Sequence, residues 1–530
     1  MVLMQKPLGH FSCCFLLLLA VLMCAAIPAS AQENTLVTFN ITRFEVSGNS
    51  FLPAADVGKV LEPYTGKSRS FSDVQAAKES LETLFRQRGF ALVSVNLPEQ
   101  ELNHGVVKLV LIQPKIGKVL IDGNKSFTSD NIRRSFPALK EGESPNVDAI
   151  SASLKLVNEN PAKKASFALQ AGEHADEVDA RIKVNDQKLW KVGVNLDNSG
   201  SAETGKTHLG LNAQYANLFD RDHVLGLFYL TTVEKPSSIN VYGLNYHIPL
   251  YGLGDSLDIY GSYSDINSGT VSTGLGDLDI AGEGIMLGAH YNQQLGRIGQ
   301  YESKLVYGAD YKAYKNSMLF LGGYDLGNDV TVHPFSLSYV GNWTLDKGTA
   351  GVSLAAIHNL GGNTEEISLV RDGAKDDYSI LRYSLDYSRS LKADWLFRLQ
   401  FSGQYSANAL IPGEQFGVGG SNSVRGFMAR EVANDSGQLT NLEIYSPNTC
   451  SAFQTSQCRI LAFYDMGHVS RNNALAGELN RESISSAGLG LRVNIAQSLS
   501  MQMDYGVVVE SGGSQQEGDS RLHVAMNWAY

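Results

Sequence analysis

The chain has 530 residues, of which 52 are glycine, and a formal net charge of −11. This acidic balance argues against a general nucleic-acid partner, because proteins that bind nucleic acid usually carry a basic patch. Glycine is about a tenth of the chain against a usual share of about 7%. Together with abundant Tyr and Phe and a mean hydropathy of −0.12, this composition is typical of a membrane β-barrel, whose strands alternate apolar and polar residues.

Residues 1–31 are predicted to be an export signal. Lys6 supplies a positive charge, the segment from Phe11 to Ala26 is apolar, and Ala29 to Ala31 form a small-x-small cleavage site. The apolar segment is short for a membrane-spanning helix, which needs about 20 residues. A lipid-modified Cys24 is an alternative, although the residues just before it are not the small ones that lipidation prefers.

Two soluble α+β modules are expected next, at residues 36–115 and 116–187. The stretch from Phe44 to Phe51 recurs as Val119 to Phe127, and both contain a Gly-Asn turn. The helical and alternating patterns predict the order β-α-α-β-β in each module. An exposed sheet edge in such a module could bind an extended client through main-chain hydrogen bonds. Alternatively, the edges only stack the two modules on each other.

One stretch resembles a phosphate-binding loop. Residues 200–207 match the G-x4-G-K-T pattern, but that site requires a helix to follow the loop. Residues 208–216 alternate instead, with leucine and tyrosine on one face and polar residues or glycine on the other. We therefore interpret residues 200–207 as a hairpin connection and expect no nucleotide cofactor.

Residues 189–530 are predicted to form an antiparallel transmembrane β-barrel. The segment from Leu381 to Ser388 shows the pattern: apolar residues alternate with Arg, Ser, Asp and Ser. At about twenty residues for each strand and its connection, the region holds about 16 strands, an even number that can close without an edge. A water-soluble β-sandwich would also alternate and is the alternative.

Two short motifs stand out within this region. Gly419 to Phe427 reads G-G-S-N-S-V-R-G-F, and Phe463 to Gly467 reads F-Y-D-M-G. A buried guanidinium needs a carboxylate, since an unpaired one costs several kcal/mol. Asp465 is the obvious partner for Arg425. The alternative is an exposed loop with a solvated arginine.

The strand that carries the second motif has apolar residues on both faces. Leu461 and Phe463 share a face with Asp465, and that face should line the lumen. Apolar side chains there require something packed on them. Val424 and Phe427 are the candidates.

The remaining cysteines and the C-terminus give two further expectations. Cys450 and Cys458 form an even pair in an exported protein and are predicted to form a disulfide worth about 2–3 kcal/mol. The final segment alternates and ends with Trp528 and Tyr530. We find no metal-ligand spacing and no catalytic motif, so neither a metal nor an enzyme activity is expected.

The V-R-G-F and F-x-D-x-G motifs, with their flanking strands, resemble those of the outer-membrane transporters of two-partner secretion, the haemolysin secretion/activation family. The resemblance implies that the modules are POTRA domains and that residues 406–437 form a loop folded into the barrel. Its tip, Val424 to Phe427, would contact Phe463, Asp465 and Gly467 on the inner wall. Glu443 matches an acidic position of the family more loosely, and the aromatic C-terminus resembles a barrel-assembly signal.

The resemblance implies export of a large unfolded exoprotein, such as a haemolysin, adhesin or toxin. It places the barrel in the bacterial outer membrane, among lipids including lipopolysaccharide and inserted by the barrel assembly machinery, and the modules in the periplasm. An assembly factor for other barrels and a passive porin remain alternatives. Family members usually have an N-terminal plug helix, but only Gln32 to Thr35 precede the first predicted strand. We therefore expect either a pore closed by the loop alone or a neighbouring branch of the family.

Overall fold

The computed structural model describes residues 37–48, 51–102, 104–202, 204–265, 269–273, 276–280, 283–315, 319–320, 324–325, 329–450, 455–496 and 498–530. The predicted export signal, residues 1–31, lies outside these ranges. Among the described residues, no helix is long and apolar enough to cross a membrane. Within the same ranges, no group of three or more His, Cys, Asp or Glu side chains is arranged to hold a metal ion.

The first module forms its own compact unit. Its central strand β5 pairs in parallel with β2 and antiparallel with β4, and alternate residues of β5 are buried with the apolar face of α2. A separate pair, β1 with β3, adds to the predicted β-α-α-β-β order. The elements, with a 3₁₀ turn at Glu62–Tyr64, are β1 (Phe39–Ile41), β2 (Arg43–Ser47), α1 (Ala54–Leu61), β3 (Gly66–Arg69), α2 (Phe71–Gln87), β4 (Ser94–Asn96) and β5 (Val106–Ile112).

The second module has the order β-α-α-β-β. Its strand β8 lies between β6, to which it is parallel, and β7. Both helices begin at a capping side chain: Thr128 accepts from the Asn131 amide, and Asn146 accepts from the Ala149 amide. The elements are β6 (Lys115–Asp122), α3 (Ser129–Ser135), α4 (Val147–Glu159), β7 (Lys163–Ala171) and β8 (Glu177–Asp186). Strand β6 thus begins one residue before the module boundary expected from the sequence.

The rest of the described chain is a closed antiparallel barrel of 16 strands, in which β20 and β21 together form one strand. Two hairpins, β14–β15 and β18–β19, extend connections between strands, and β25–β26 lies within the connection from β24 to β27. Short 3₁₀ turns occur at Lys392–Asp394 and Pro412–Glu414. The elements are β9 (Trp190–Asp197), β10 (His208–Leu218), β11 (His223–Thr232), β12 (Val241–Leu250), β13 (Asp255–Asp265), β14 (Gly269–Thr273), β15 (Gly276–Ile280), β16 (Glu283–Gln294), β17 (Tyr301–Lys315), β18 (Leu319–Phe320), β19 (Tyr324–Asp325), β20 (Val330–Val332), β21 (Pro334–Leu345), β22 (Gly348–Asn359), α5 (Thr364–Val370), β23 (Ser379–Ser390), β24 (Leu396–Tyr405), β25 (Phe416–Val418), β26 (Val432–Asn434), β27 (Ser436–Tyr445), β28 (Ser456–Ser470), β29 (Arg481–Ile495), β30 (Leu499–Glu510) and β31 (Ser520–Ala529).

Alternation along the strands separates a lipid-facing surface from the lumen. On β28, Ile460, Tyr464 and Met466 are exposed on the outer surface, whereas Leu461 and Phe463 are buried on the inner one. Because a closed barrel satisfies every backbone hydrogen bond between strands, this arrangement suits the hydrocarbon layer.

The second module lies against one end of the barrel, and a buried ion pair fixes it there. Lys163 on β7 donates to Asp222, in the turn between β10 and β11, at 2.5 Å, and both side chains are almost fully buried. Ser135 and Tyr251 donate to the same carboxylate at 2.9 and 2.6 Å. Burial lowers the pKa of Lys163, and the nearby Asp222 carboxylate opposes that shift. The end with these short turns is therefore the end that carries the second module, which is expected to be periplasmic, and the long connections lie at the opposite, outer end.

The barrel closes where β31 pairs with β9. Beyond the last paired residues, the Asn198 amide substitutes for a peptide group: it donates to the Leu522 carbonyl at 2.7 Å and accepts from the Val524 amide at 2.8 Å. At the other end of the strand, the Tyr530 amide donates to the Val192 carbonyl at 2.8 Å. The ring of Tyr530 stacks 6.3 Å from that of Trp528.

Candidate functional site

The connection between β24 and β27, residues 406–435, folds back against the inner wall of the barrel, and we call it the inward loop. Strand β27 begins at Ser436, so the loop ends two residues before the bound expected from the sequence. Strands β25 and β26 form a hairpin within it, with Phe416 opposite Asn434. Beyond the hairpin, Gly419 and Gly420 have φ values of +115° and +106°, a conformation that glycine adopts without strain. These glycines begin the tip of the loop, residues 419–431.

Apolar side chains hold the tip against the wall. Val418, Val424 and Phe427 are fully buried. They belong to one cluster with inward-facing residues of three neighbouring wall strands, namely Val469 on β28, Ile484 on β29 and Val508 on β30. The loop therefore covers an apolar part of the lumen wall that would otherwise face water.

Arg425 lies at the centre of this contact and is 3% exposed. Its Nε and Nη2 atoms donate to the two carboxylate oxygens of Asp465, both at 2.7 Å, and its main-chain amide donates to the same group at 3.1 Å. Its Nη1 atom donates to Glu443 at 2.8 Å and lies 3.6 Å from Asp504. The guanidinium is thus surrounded by carboxylates from β27, β28 and β30, which is the arrangement that a buried charge requires.

Further side chains donate hydrogen bonds to these carboxylates. Asn441 donates to Asp465 at 2.7 Å and also to the Ser423 carbonyl of the tip at 2.7 Å. Arg492 on β29 donates to Asp504 at 2.8 Å. The pocket is therefore a connected network, and losing one member would leave other charged groups buried without a full set of partners.

The remaining residues of the second motif shape the surface beneath the loop. The Phe463 ring lies 3.6 Å from the Arg425 guanidinium carbon, a cation–π contact. A Cβ atom added to Gly467 would lie 2.9 Å from the Cβ of Val418, so only glycine lets the hairpin approach this closely. Gly506 on β30 is similar: its added Cβ would lie 2.7 Å from the Gly426 nitrogen.

Sequence reasoning found the arginine and two of its acidic neighbours but missed the rest of the network. Asp504, Arg492 and Asn441 were not singled out, and neither was His523, whose Nε2 accepts from the Gly426 amide at 3.0 Å. All four lie on inward faces of strands from β27 to β31. A charged or histidine residue on the lumen face of a membrane strand is the signal that could have identified Asp504, Arg492 and His523. Nothing local marks Asn441.

The other predicted residues lie apart from this network. Cys450 and Cys458 are joined by a disulfide, with Cα atoms 5.1 Å apart, at the periplasmic turn between β27 and β28. Trp528 and Tyr530 lie at the closing seam. Apart from Glu203, which is outside the described residues, the 200–207 stretch forms the connection between β9 and β10, and strand β10 follows it directly.

The arc of the lumen wall on β12, β13, β16 and β17 is lined differently. Its histidines pair with carboxylates across neighbouring strands: His247 lies 2.8 Å from Asp258, and His290 lies 3.1 Å from Asp310. Tyr260 also donates to Asp310, at 2.7 Å. We call this part of the wall the paired arc, because its carboxylates already have hydrogen-bonding partners.

Two family models match the chain. The model described as haemolysin secretion/activation protein ShlB/FhaC/HecB matches residues 176–493, and the model described as POTRA domain, ShlB-type, matches residues 39–113. The heme/hemopexin transporter protein HuxB of Haemophilus influenzae is 23% identical over 492 residues, which cover 90% of this chain and 85% of HuxB.

Solved structures share the fold. The structure of CdiB from Escherichia coli superposes with a TM-score of 0.75 at 17% identity, covering 96% of this chain and 93% of that one. The structure of CdiB from Acinetobacter baumannii gives a TM-score of 0.71 at 19% identity, covering 93% and 90%. The predicted fold class, POTRA domains followed by a barrel of 16 strands, is confirmed. The chain belongs to the haemolysin secretion/activation family, the outer-membrane transporters of two-partner secretion, whose POTRA domains lie in the periplasm.

Proposed function

We propose that this transporter exports one large exoprotein as an unfolded chain, and that the inward loop controls the passage through the lumen. The observation that carries the proposal is the contact between the tip and the wall: Arg425 binds Asp465 and Glu443 inside a closed barrel. This contact supports the proposal, because a segment held against the inner wall by specific bonds would block a client until those bonds break.

The paired arc supports transit of an unfolded chain. Its side chains offer hydrogen bonds, but its carboxylates already accept hydrogen bonds from neighbouring side chains, as Asp258 does from His247. A client with variable sequence can pass such a surface without being held at any one charge. The site needs no covalent chemistry, and we assign no catalytic role to any residue.

Transport across the outer membrane proceeds without ATP in the surrounding compartments. Folding of the client outside the cell can supply the driving force, since it removes unfolded chain from the equilibrium. The sheet edges of the periplasmic modules can hold the client extended before entry by adding it as a further strand.

The relative HuxB is named a heme/hemopexin transporter, so a secreted protein of haem acquisition is the first client to test. We further propose that the barrel assembly machinery inserts the chain through its aromatic C-terminus, which includes Trp528 and Tyr530, and that lipopolysaccharide surrounds its outer end. The apolar outer surface, with exposed residues such as Leu244 and Leu287, fits that environment.

Comparing a strain that lacks this protein with its parent tests the proposal. Loss of one large protein from the culture medium, with an unchanged outer-membrane protein profile, is the expected result. Broad loss of other barrels would instead identify an assembly factor. Loss of small-solute uptake alone would identify a porin.

Complementation makes the test specific to the site. The unchanged chain should restore secretion, whereas Arg425→Ala should not. Arg459→Ala is the matched control, because Arg459 lies on β28 like Asp465 but pairs with the exposed Asp394, in the connection between β23 and β24 and away from the tip contact. Restoration of secretion by Arg425→Ala would refute the role of the loop.

A further inference from the structure

An apolar cluster occupies the outer end of the lumen, on the side away from the tip contact. Tyr314 on β17, Val332 on β20 and Ile380 on β23 are buried there. They share the inner face of their strands with Lys312 and Arg382. Apolar residues at a water-filled mouth are unexpected, because lumen-facing residues of such barrels are usually polar.

Two segments cover this cluster. The first is the external connection 360–378, which contains α5 and contributes Ile367, Ala374 and Tyr378. The second is the descending limb of the inward loop, residues 407–415, which contributes Leu410 and Ile411. Ala374 and Ala409 pair as an isolated parallel bridge, so the two segments touch along their backbones. We call the two segments together the outer plug.

A buried ion pair fastens the external connection to the inward loop. Arg371, directly after α5, binds both carboxylate oxygens of Asp435, and the exposure of the two side chains is 6% and 0%. The same arginine donates to the Leu410 carbonyl at 2.8 Å and to the Asn472 carbonyl at 2.9 Å. The Leu410 amide donates back to Asp435 at 2.8 Å. One ion pair thus joins three outer connections.

A second buried acid fastens the descending limb to strand β17. Glu414 accepts from Lys312 and from Tyr314, both on β17 and both at 2.8 Å, and its side chain is 1% exposed. The Gln404 amide links the two anchors, because it donates to the main-chain carbonyls of Glu414 and Asp435 at 2.9 and 3.0 Å. The inward loop therefore bridges the lumen, from β17 at Glu414 to the network around Arg425.

We propose that residues 360–378 and 407–415 form a plug that closes the outer mouth of the lumen, and that the Arg371–Asp435 pair holds it shut. The inference rests on the proposed export function and adds a second closure, at the exit, to the one at the tip. Arg371, Glu414 and Asp435 act as positioning residues: they set the place of the plug and of the loop base.

Ion conductance of the purified full-length chain in planar bilayers, with potassium chloride as the probe, tests this without a client. Asp435→Asn leaves Arg371 buried without its carboxylate, so the mean conductance should rise about tenfold or more, given the large cost of breaking a buried pair. Asp377→Asn is the matched control, because it makes the same change in the same connection at a side chain that is 84% exposed. The control should conduct like the parent.

A reversible lock separates plug movement from general loosening. Ala374→Cys with Ala409→Cys should cross-link the plug, since these residues already pair. Added to Asp435→Asn, the oxidised lock should return conductance to the parent level, and a reductant should release it. The parent chain with and without reductant controls for reduction of the Cys450–Cys458 bond.

The outcomes are distinct. Parent-like conductance of a folded Asp435→Asn chain, or high conductance that persists in the oxidised lock, would overturn the proposal. If the Asp435→Asn chain does not assemble, the Ala374→Cys/Ala409→Cys lock in the otherwise unchanged chain provides the test. The frequency of voltage-induced openings should fall when this lock is oxidised, and an unchanged frequency would overturn the proposal. Secretion in the deletion strain reports on export separately, so failure of the plug and failure of the export function are distinguishable.

Discussion

Replacing Arg425 with alanine tests the tip contact directly. The change removes three side-chain hydrogen bonds, two to Asp465 and one to Glu443, together with the contact with the Phe463 ring. It leaves Asp465 and Glu443 buried with too little positive charge nearby. The main-chain bond from residue 425 to Asp465 and the apolar contacts of Val424 would remain.

Breaking one partner of a buried ion pair costs about 3–5 kcal/mol. Because about 1.4 kcal/mol corresponds to a factor of ten, the population with a detached tip should rise by a factor of about 10² to 4 × 10³. The barrel itself should still assemble, since none of its strand-to-strand hydrogen bonds involves the lost side chain.

Hydrogen–deuterium exchange of residues 419–431 measures the detached population, and heat-modifiable migration in gel electrophoresis reports the folded barrel. We expect much faster exchange at the tip, a heat-modifiable barrel and loss of secretion. Unchanged protection of the tip together with unchanged secretion would show that the ion pair neither holds the loop nor matters for export. Arg459→Ala should leave all three measurements unchanged.

Three further changes should have measurable effects. Asp465→Asn should increase hydrogen–deuterium exchange at the tip, as Arg425→Ala does. In a double-mutant cycle of these two changes, the effects on exchange should be strongly coupled, and additive effects would contradict a direct Arg425–Asp465 pair. Gly467→Val should displace the β25–β26 hairpin from the wall at a cost of about 1–3 kcal/mol, because the Cβ of the new valine would collide with Val418. Hydrogen–deuterium exchange at the tip should then be faster. Unchanged exchange would contradict the close approach of Val418 to residue 467. Lys163→Met should release the second module from the barrel, since it leaves Asp222 buried without its cation. Hydrogen–deuterium exchange at residues 217–222 should become faster while the barrel stays intact. Unchanged exchange at these residues would show that apolar packing alone holds the module.

The barrel could be predicted from the sequence because its strands follow one local rule, the alternation of apolar and polar residues. Alternation, turn composition and length predicted a closed barrel of about 16 strands, and the resemblance of two short motifs pointed to the family. The order β-α-α-β-β was predicted for the second module, and the structure has it, with α4 at Val147–Glu159. These features depend on neighbours along the chain, which a pattern can reveal.

The network around Arg425 joins residues that are distant in the sequence, so only part of it could be predicted. Asp504 and His523 lie far from the tip in sequence, and strand register decides which inward residues meet. Arg371 and Asp435 were not singled out either, because nothing local marks a pair formed between two long connections. Predicting them would require the packing of the loops, which the strand pattern does not determine.

The paired arc has a consequence for the speed of secretion. A wall whose carboxylates are already hydrogen-bonded to neighbouring side chains offers a sliding chain few strong attachment points, so friction against it should depend little on client sequence. Tyr260 and Asp310 are hydrogen-bonded to each other, so they offer few positions at which a passing segment could be held. The pace of emergence would then be set by how fast the exported protein folds on the far side, and slowly folding clients would dwell in the lumen longest.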